Sequence, residues 1–117
     1  MNVLITGVLG MVGSHMLDFL LEKTDMKIYG FCRWNESMDN IEHLTDIINK
    51  KGRIELIYGD LNDYPSIVNA IEISKPNYVF HLGAQSYPQT SFDSPIETLQ
   101  TNIIGTANLL EGLRKSK

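Results

Sequence analysis

At 117 residues the chain is long enough for one domain or part of one, and too short for a two-domain enzyme. Its 43% hydrophobic and 21% charged residues are ordinary for a globular protein, and a formal charge of −4 leaves no basic footprint for nucleic acid. No run approaches the roughly 20 apolar residues of a bilayer span, and a lone cysteine, Cys32, excludes an intrachain disulfide or a cysteine zinc cluster. The apolar run around Cys32 predicts a buried spectator. Met1 leads straight into a strand with no basic region or cleavage site, which predicts a cytoplasmic chain without a signal peptide.

Strand and helix patterns alternate throughout. Asn2–Thr6 is a short apolar run closed by glycine, as in a strand buried on both faces. Met11–Lys23 follows as an amphipathic helix, with Val12, Met16, Leu17, Leu20 and Leu21 apolar and Ser14, Asp18 and Glu22 opposite them. Residues 27–33 read as a second strand and 34–38 as a polar loop. Asp39 or Asn40 is then expected to cap a helix through Ile41, Leu44, Ile47 and Ile48 that ends at Gly52. A third strand is expected at 53–58. Asp63 is expected to cap the next helix, with Pro65 in its first turn and Pro76 beyond its end. Residues 78–82 read as a fourth strand. After a loop, Ser94-Pro95-Ile96-Glu97 combines a capping box with proline at the first helical position, opening a long helix at 94–114.

The order βαβαβαβα predicts an α/β fold, a Rossmann-type parallel sheet with helices on both faces and strand order 3-2-1-4. One unit, residues 1–117, is expected: the N-terminal portion of an NAD(P)-binding domain, whose further strands and substrate-binding part would lie beyond Lys117.

Thr6-Gly7-Val8-Leu9-Gly10-Met11-Val12-Gly13 sits at the first strand–helix junction. Gly7 suits a sharp turn, Gly10 a close approach of backbone to pyrophosphate, and Gly13 tight helix–sheet packing. The first-turn amides and the helix dipole then favour an anion there. An acidic residue about 20 positions beyond the last glycine is the usual partner of a free ribose 2′-hydroxyl. Here that position is Arg33, whose guanidinium suits a 2′-phosphate, so NADP is favoured, with NAD the alternative. Trp34 reads equally as an adenine wall or as a cover for apolar residues. Asp60, at the end of the third strand, is placed to accept a bond from the adenine amino group. His15, His43 and His81 are scattered over different elements, which argues against a metal site.

Together, Thr6-Gly7-x-x-Gly10-x-x-Gly13, Gly59-Asp60-Leu61, His81-Leu82-Gly83-Ala84-Gln85 and Asn102-Ile103-Ile104-Gly105-Thr106 resemble the extended short-chain dehydrogenase/reductase family across the whole chain. Within it, Tyr58-Gly59-Asp60-Leu61, Leu82 to Ser86, Ser91-Phe92 and Arg33 look most like the GDP-mannose 4,6-dehydratases. Met11-Val12, Trp34 and His81 depart from that subfamily's usual Gln-Asp, arginine and asparagine. The resemblance implies a nucleotide-sugar dehydratase acting on GDP-mannose through a 4-keto intermediate. An epimerase or reductase of the same family, or a non-catalytic NAD(P)-binding module, is the alternative. It implies that Thr6, Gly7, Gly10, Met11, Val12, Gly13, Arg33, Asp60, Leu61, Leu82, Gly83 and Ala84 bind cofactor. Gln85, Ser86 and Ser91 would face the sugar nucleotide, and Asn102 would help hold an active-site water. It also implies a homo-oligomer through the long helix, and a Tyr-x-x-x-Lys proton shuttle. None of the five tyrosines has a lysine four positions on, so the chemistry is expected outside these residues.

Overall fold

The computed structural model describes residues 1–50 and 52–116. Strands β1 (Asn2–Thr6), β2 (Lys27–Cys32), β3 (Ile54–Tyr58) and β4 (Tyr78–His81) form one parallel sheet in the order β3-β2-β1-β4, the expected Rossmann arrangement. Helices α1 (Met11–Lys23) and α2 (Tyr64–Ser74) follow β1 and β3; α3 (Pro88–Asp93), α4 (Pro95–Leu99) and α5 (Gly105–Lys115) follow β4.

The alternation of side chains along β1 divides the core in two. Val3 and Ile5 pack on one face with Leu17 and Leu20 of α1 and with Ile28, Ile41 and Ile54. Leu4 packs on the other with Tyr29, Phe31, Ile67 and Ile71 of α2 and Leu109 of α5. Val3, Leu4 and Ile5 are all at most 1% exposed, so the strand is buried on both sides as its unbroken apolar run requires. Each fully buried residue of this kind contributes about 1.5–3 kcal/mol.

Local differences from expectation have local causes. The predicted helix from 39 to 52 is only a 3₁₀ segment at Asp39–Leu44, broken at Ile41 (φ −122°). Its spacing of apolar residues is met instead by turns that bury Ile41 and Ile48. Ile48 bridges to Ile54, and Asn49, at φ 59°, donates its amide to the Ile54 carbonyl and accepts the Leu56 amide on its side chain. Asn, Thr and Asp in this stretch are weak helix formers, and asparagine tolerates the left-handed turn. Residues 88–93, expected as loop, form α3.

β2 stops at Cys32 and β3 starts at Ile54, because Arg33 turns outward and Arg53 turns back to α1. None of the three predicted side-chain caps forms: Met38 rather than Asp39 or Asn40 precedes the 3₁₀ segment, and Asp63 and Ser94 precede their helices without a capping bond. Ser66 works at the Asp63 site, its hydroxyl within 3.1 Å of the Asp60 amide and 2.8 Å of the Asp63 carbonyl. At the last site the Ser94 carbonyl accepts both the amide and the hydroxyl of Thr98. The long helix keeps its predicted extent but is interrupted by a π turn at Gln100–Ile104. No helix among the described residues is long and apolar enough to cross a membrane.

Candidate nucleotide-binding site

A cleft of about 790 Å³ opens where the carboxyl ends of all four strands meet the following loops. Because β1 lies between β2 and β4, the chain departs in opposite directions on its two sides, and the crevice falls at that switch point. Thr6, Gly7, Gly10, Met11, Val12 and Gly13 line it from the first junction, Arg33 from β2, Asp60 and Leu61 from β3, and Leu82, Gly83, Ala84, Gln85 and Ser86 from β4.

The three glycines of the first junction are needed for different reasons. Gly7 has φ +70°, and a Cβ there would stand 2.7 Å from the Gly83 nitrogen. A Cβ on Gly13 would run into the Gly7 carbonyl oxygen. Gly10 is different: its extended backbone (φ −75°, ψ 175°) suits any residue, and a Cβ would press on one atom, the Gly7 oxygen at 3.3 Å, a tight contact that a shift of a few tenths of an ångström relieves. The fold leaves space over Gly10 that it does not itself fill. No side chain caps α1, so its first amides have no acceptor within the helix.

At the opposite end of the cleft, the Arg33 backbone amide and Nε donate to Glu36 Oε1 at 3.1 and 3.3 Å. Arg33 is more exposed than Glu36 (60% against 28% of the side chain), and its two terminal nitrogens make no bond among the described residues. Counting 20 positions from Gly13 found Arg33 but stopped short of this carboxylate, which also lines the cleft. The signal was available: Glu36 lies three residues on, in the loop 34–38. Trp34 is 82% exposed and away from the cleft wall, so it neither encloses it nor covers apolar neighbours. The Asp60 carboxylate accepts the Asn62 amide at 2.9 Å in a local turn while still facing the cleft. Cys32 is buried at the cleft floor; desolvation, with the Glu36 charge second, pushes its thiol up to about 12.

The β4 side is held by a polar chain. Thr6 Oγ1 accepts the amides of Leu82 and Gly83, both at 3.0 Å, and lies 2.6 Å from His81 Nδ1. His81 Nε2 lies 3.0 Å from Thr106 Oγ1, and Thr106 donates to the Asn102 carbonyl at 2.7 Å. Asn102 does not line the cleft. Its side chain accepts the Gln85 amide at 2.8 Å and donates to the Gln85 carbonyl at 3.0 Å, pinning the loop by both backbone groups. Those bonds use one N–H and one lone pair of the carboxamide expected to help hold a water. The Gln85 side chain is also engaged, donating to Thr98 and accepting from the Tyr87 amide. Ser91 is not brought to the cleft; its hydroxyl donates to the Pro88 carbonyl within α3. Glu97 and Thr101, one helical turn apart across the start of the π turn, reach the cleft instead.

With this geometry in view, a family model described as GDP-mannose 4,6 dehydratase matches residues 4–117. The chain belongs to that family. The GDP-mannose 4,6 dehydratase of Drosophila melanogaster is 37% identical over 115 residues, an alignment covering 95% of this chain and 29% of that protein. The chain thus spans under a third of the length of such relatives. Among solved structures, the UDP-glucose 4-epimerase of Thermotoga maritima with UDP-glucose superposes with a TM-score of 0.82 at 28% identity, over 98% of this chain and 34% of that one. The Thermus thermophilus UDP-glucose 4-epimerase in complex with NAD gives 0.78 at 28% identity over the same shares. Family membership rests on the sequence match, and the superpositions bear out the parallel Rossmann-like sheet.

Proposed function

We propose that the cleft binds NADP, and that these residues form the cofactor-binding part of a nucleotide-sugar 4,6-dehydratase acting on GDP-mannose. The observation that carries this reading is Gly10. A glycine whose only close neighbour in the fold is the Gly7 carbonyl oxygen, set over an uncapped helix N-terminus inside a cleft of about 790 Å³, fits a ligand that must approach the backbone there. The dinucleotide supplies hydride-transfer chemistry when bound. The residues of this chain bind and orient it.

Met11, Val12 and Gly13 offer amides to the diphosphate. Arg33, with Nε already fixed by Glu36, presents its terminal nitrogens to the ribose 2′-phosphate. Leu82, Gly83 and Ala84 flank the nicotinamide side, and Gln85 and Ser86 face the sugar nucleotide. The tyrosine–lysine pair implied by the family resemblance is not among these residues, so the role assigned to them is binding and positioning, not proton transfer.

Calorimetric titration with NADP⁺ and NAD⁺ is the test. The phosphorylated form should bind more tightly, and Arg33→Asp should remove about 1.5–3 kcal/mol of that preference, the worth of a charge-assisted contact. Glu36→Gln should act in the opposite sense, because it keeps an acceptor for Arg33 and removes a negative charge beside the phosphate. Equal affinities in the unaltered protein would overturn the NADP assignment and leave NAD, to which the Glu36 carboxylate offers a hydroxyl acceptor.

A further inference from the structure

The hydrogen bonds around His81 admit only one arrangement of protons. Thr6 Oγ1 receives the Leu82 and Gly83 amides, which can only donate, so its lone pairs are engaged and its own hydrogen is left for His81 Nδ1 at 2.6 Å. Nδ1 must therefore accept. On the other side of the ring, Thr106 gives its hydrogen to the Asn102 carbonyl, which can only accept, so toward His81 Nε2 the Thr106 oxygen accepts as well. Nε2 therefore carries the ring hydrogen. The partners specify a neutral imidazole in the Nε2–H form.

We infer that His81 is a positioning residue whose neutral Nε2–H form holds the Leu82–Gln85 wall of the cleft against the glycine-rich turn, and whose protonation releases that wall. An imidazolium has a hydrogen on Nδ1 that would meet the hydrogen of Thr6 head on. Thr6 can turn to accept it only by giving up an amide it holds. The Leu82 amide also reaches the Thr6 backbone carbonyl at 3.2 Å, but the Gly83 amide has Oγ1 as its one acceptor among the described residues. Those amides belong to the segment packed on Gly7, where there is no room even for a Cβ beside the Gly83 nitrogen. The other side of the ring keeps its Nε2–H toward Thr106 in both protonation states, so the added proton acts at the Thr6 end of the wall alone.

The surroundings agree. His81 is faced by Thr6 from β1 and Thr106 from α5, and among the described residues no charged side chain contributes to its titration. Burial alone lowers its pKa from the ordinary 6.5. A histidine depressed in the folded state keeps its contribution above about 6.5 and loses it as pH falls through the lower, folded value. The wall is thus held at neutral pH and loosened on acidification.

The nucleotide arm of the test rests on the proposed cofactor site; the spectroscopic arm does not. Long-range ¹H–¹⁵N spectra of the imidazoles should show His81 as the Nε2–H form at pH 7.5, titrating below 6.5, with the amides of Leu82 and Gly83 shifting along the same curve. NADPH affinity should fall about five-fold through that titration, the equilibrium worth of roughly one hydrogen bond. His81→Asn keeps an acceptor near Thr6 and cannot be protonated in this range, so its affinity should lack that step, while titration of the ligand's own phosphate is common to both proteins. An Nδ1–H form, or Leu82 and Gly83 amides indifferent to the titration of His81, overturns the inference. So does an identical pH profile for the two proteins. If NADPH binds neither protein at any pH, the cofactor reading fails and the spectra still decide the role of His81.

Discussion

Single residues carry most of what the cleft can do, and they differ in how visible they are in the sequence. The spacing of Gly7, Gly10 and Gly13 was legible because each sits at a junction where backbone, not side chain, sets the requirement. Their separate reasons were not, since those depend on the Gly7 carbonyl lying against the helix. A substitution pair separates structure from binding. Gly13→Ala forces a methyl group into the Gly7 oxygen and should cost roughly 1–3 kcal/mol of stability, as overpacking does. Gly10→Ala has to move the Gly7 oxygen by only a few tenths of an ångström and should cost less than Gly13→Ala, about 1 kcal/mol or under. It should nonetheless weaken nucleotide binding at least about ten-fold, or about 1.4 kcal/mol. Thermal melts and calorimetry on the two variants check both halves, and equal damage to both properties by both variants would remove Gly10 from the binding argument. Glu36 shows the opposite limit. Counting to a single position names Arg33 and passes over the carboxylate three residues later that a turn brings back onto it.

At the scale of elements, β1, β2 and α2 were readable because apolar run or period and burial agree in them. In α1 Leu17 and Leu20 are buried as expected, but at its N-terminus Val12 is 57% exposed on the cleft and Ser14, expected opposite, is buried with its hydroxyl bonded to the Met11 carbonyl. The stretch from 39 to 52 was not readable. Its apolar residues satisfy a helical spacing and equally a series of tight turns, and the choice is made by contact with the edge of β3. Arg53 illustrates the same dependence on tertiary context. It reads as the first residue of a strand, yet its guanidinium makes four bonds to the carbonyls of Leu21, Thr24 and Met26 where α1 ends. A cation there meets the negative end of the helix dipole and satisfies carbonyls that the helix leaves free. Arg53→Met keeps much of the aliphatic stem and removes the donors. It should lower stability by about 2 kcal/mol, the scale of a charged hydrogen-bonding group, as measured by urea denaturation. A loss below about 0.5 kcal/mol would show that water replaces these bonds without penalty. The π turn was likewise not legible, because it depends on bonds made by Asn102 and Thr106 to partners outside their own helix turn.

For the whole molecule, the sheet order could be read from alternating elements, while the distribution of exposed apolar surface could not. Tyr87, Phe92, Ile96, Leu99, Ile103 and Leu110, from the start of α3 through α4 and the π turn to α5, are each more than half exposed. Surface of that kind favours association. These 117 residues on their own are therefore expected to sediment as oligomers at micromolar concentration, and a monodisperse monomer across that range would contradict the expectation. The same sheet has a consequence for hydrogen exchange. β1 is bonded on both sides, to β2 and to β4, whereas β4 pairs with β1 alone among the described residues. Alternate amides along β4 thus point away from any partner strand. In deuterated solvent the amides of Val3 to Thr6 should wait for the molecule to open as a whole, while every second amide of β4 trades its hydrogen far sooner. The strand that carries the glycine-rich turn, with β2, which is bonded on both sides as well, is then among the last parts of the protein to lose its memory of having been folded in ordinary water.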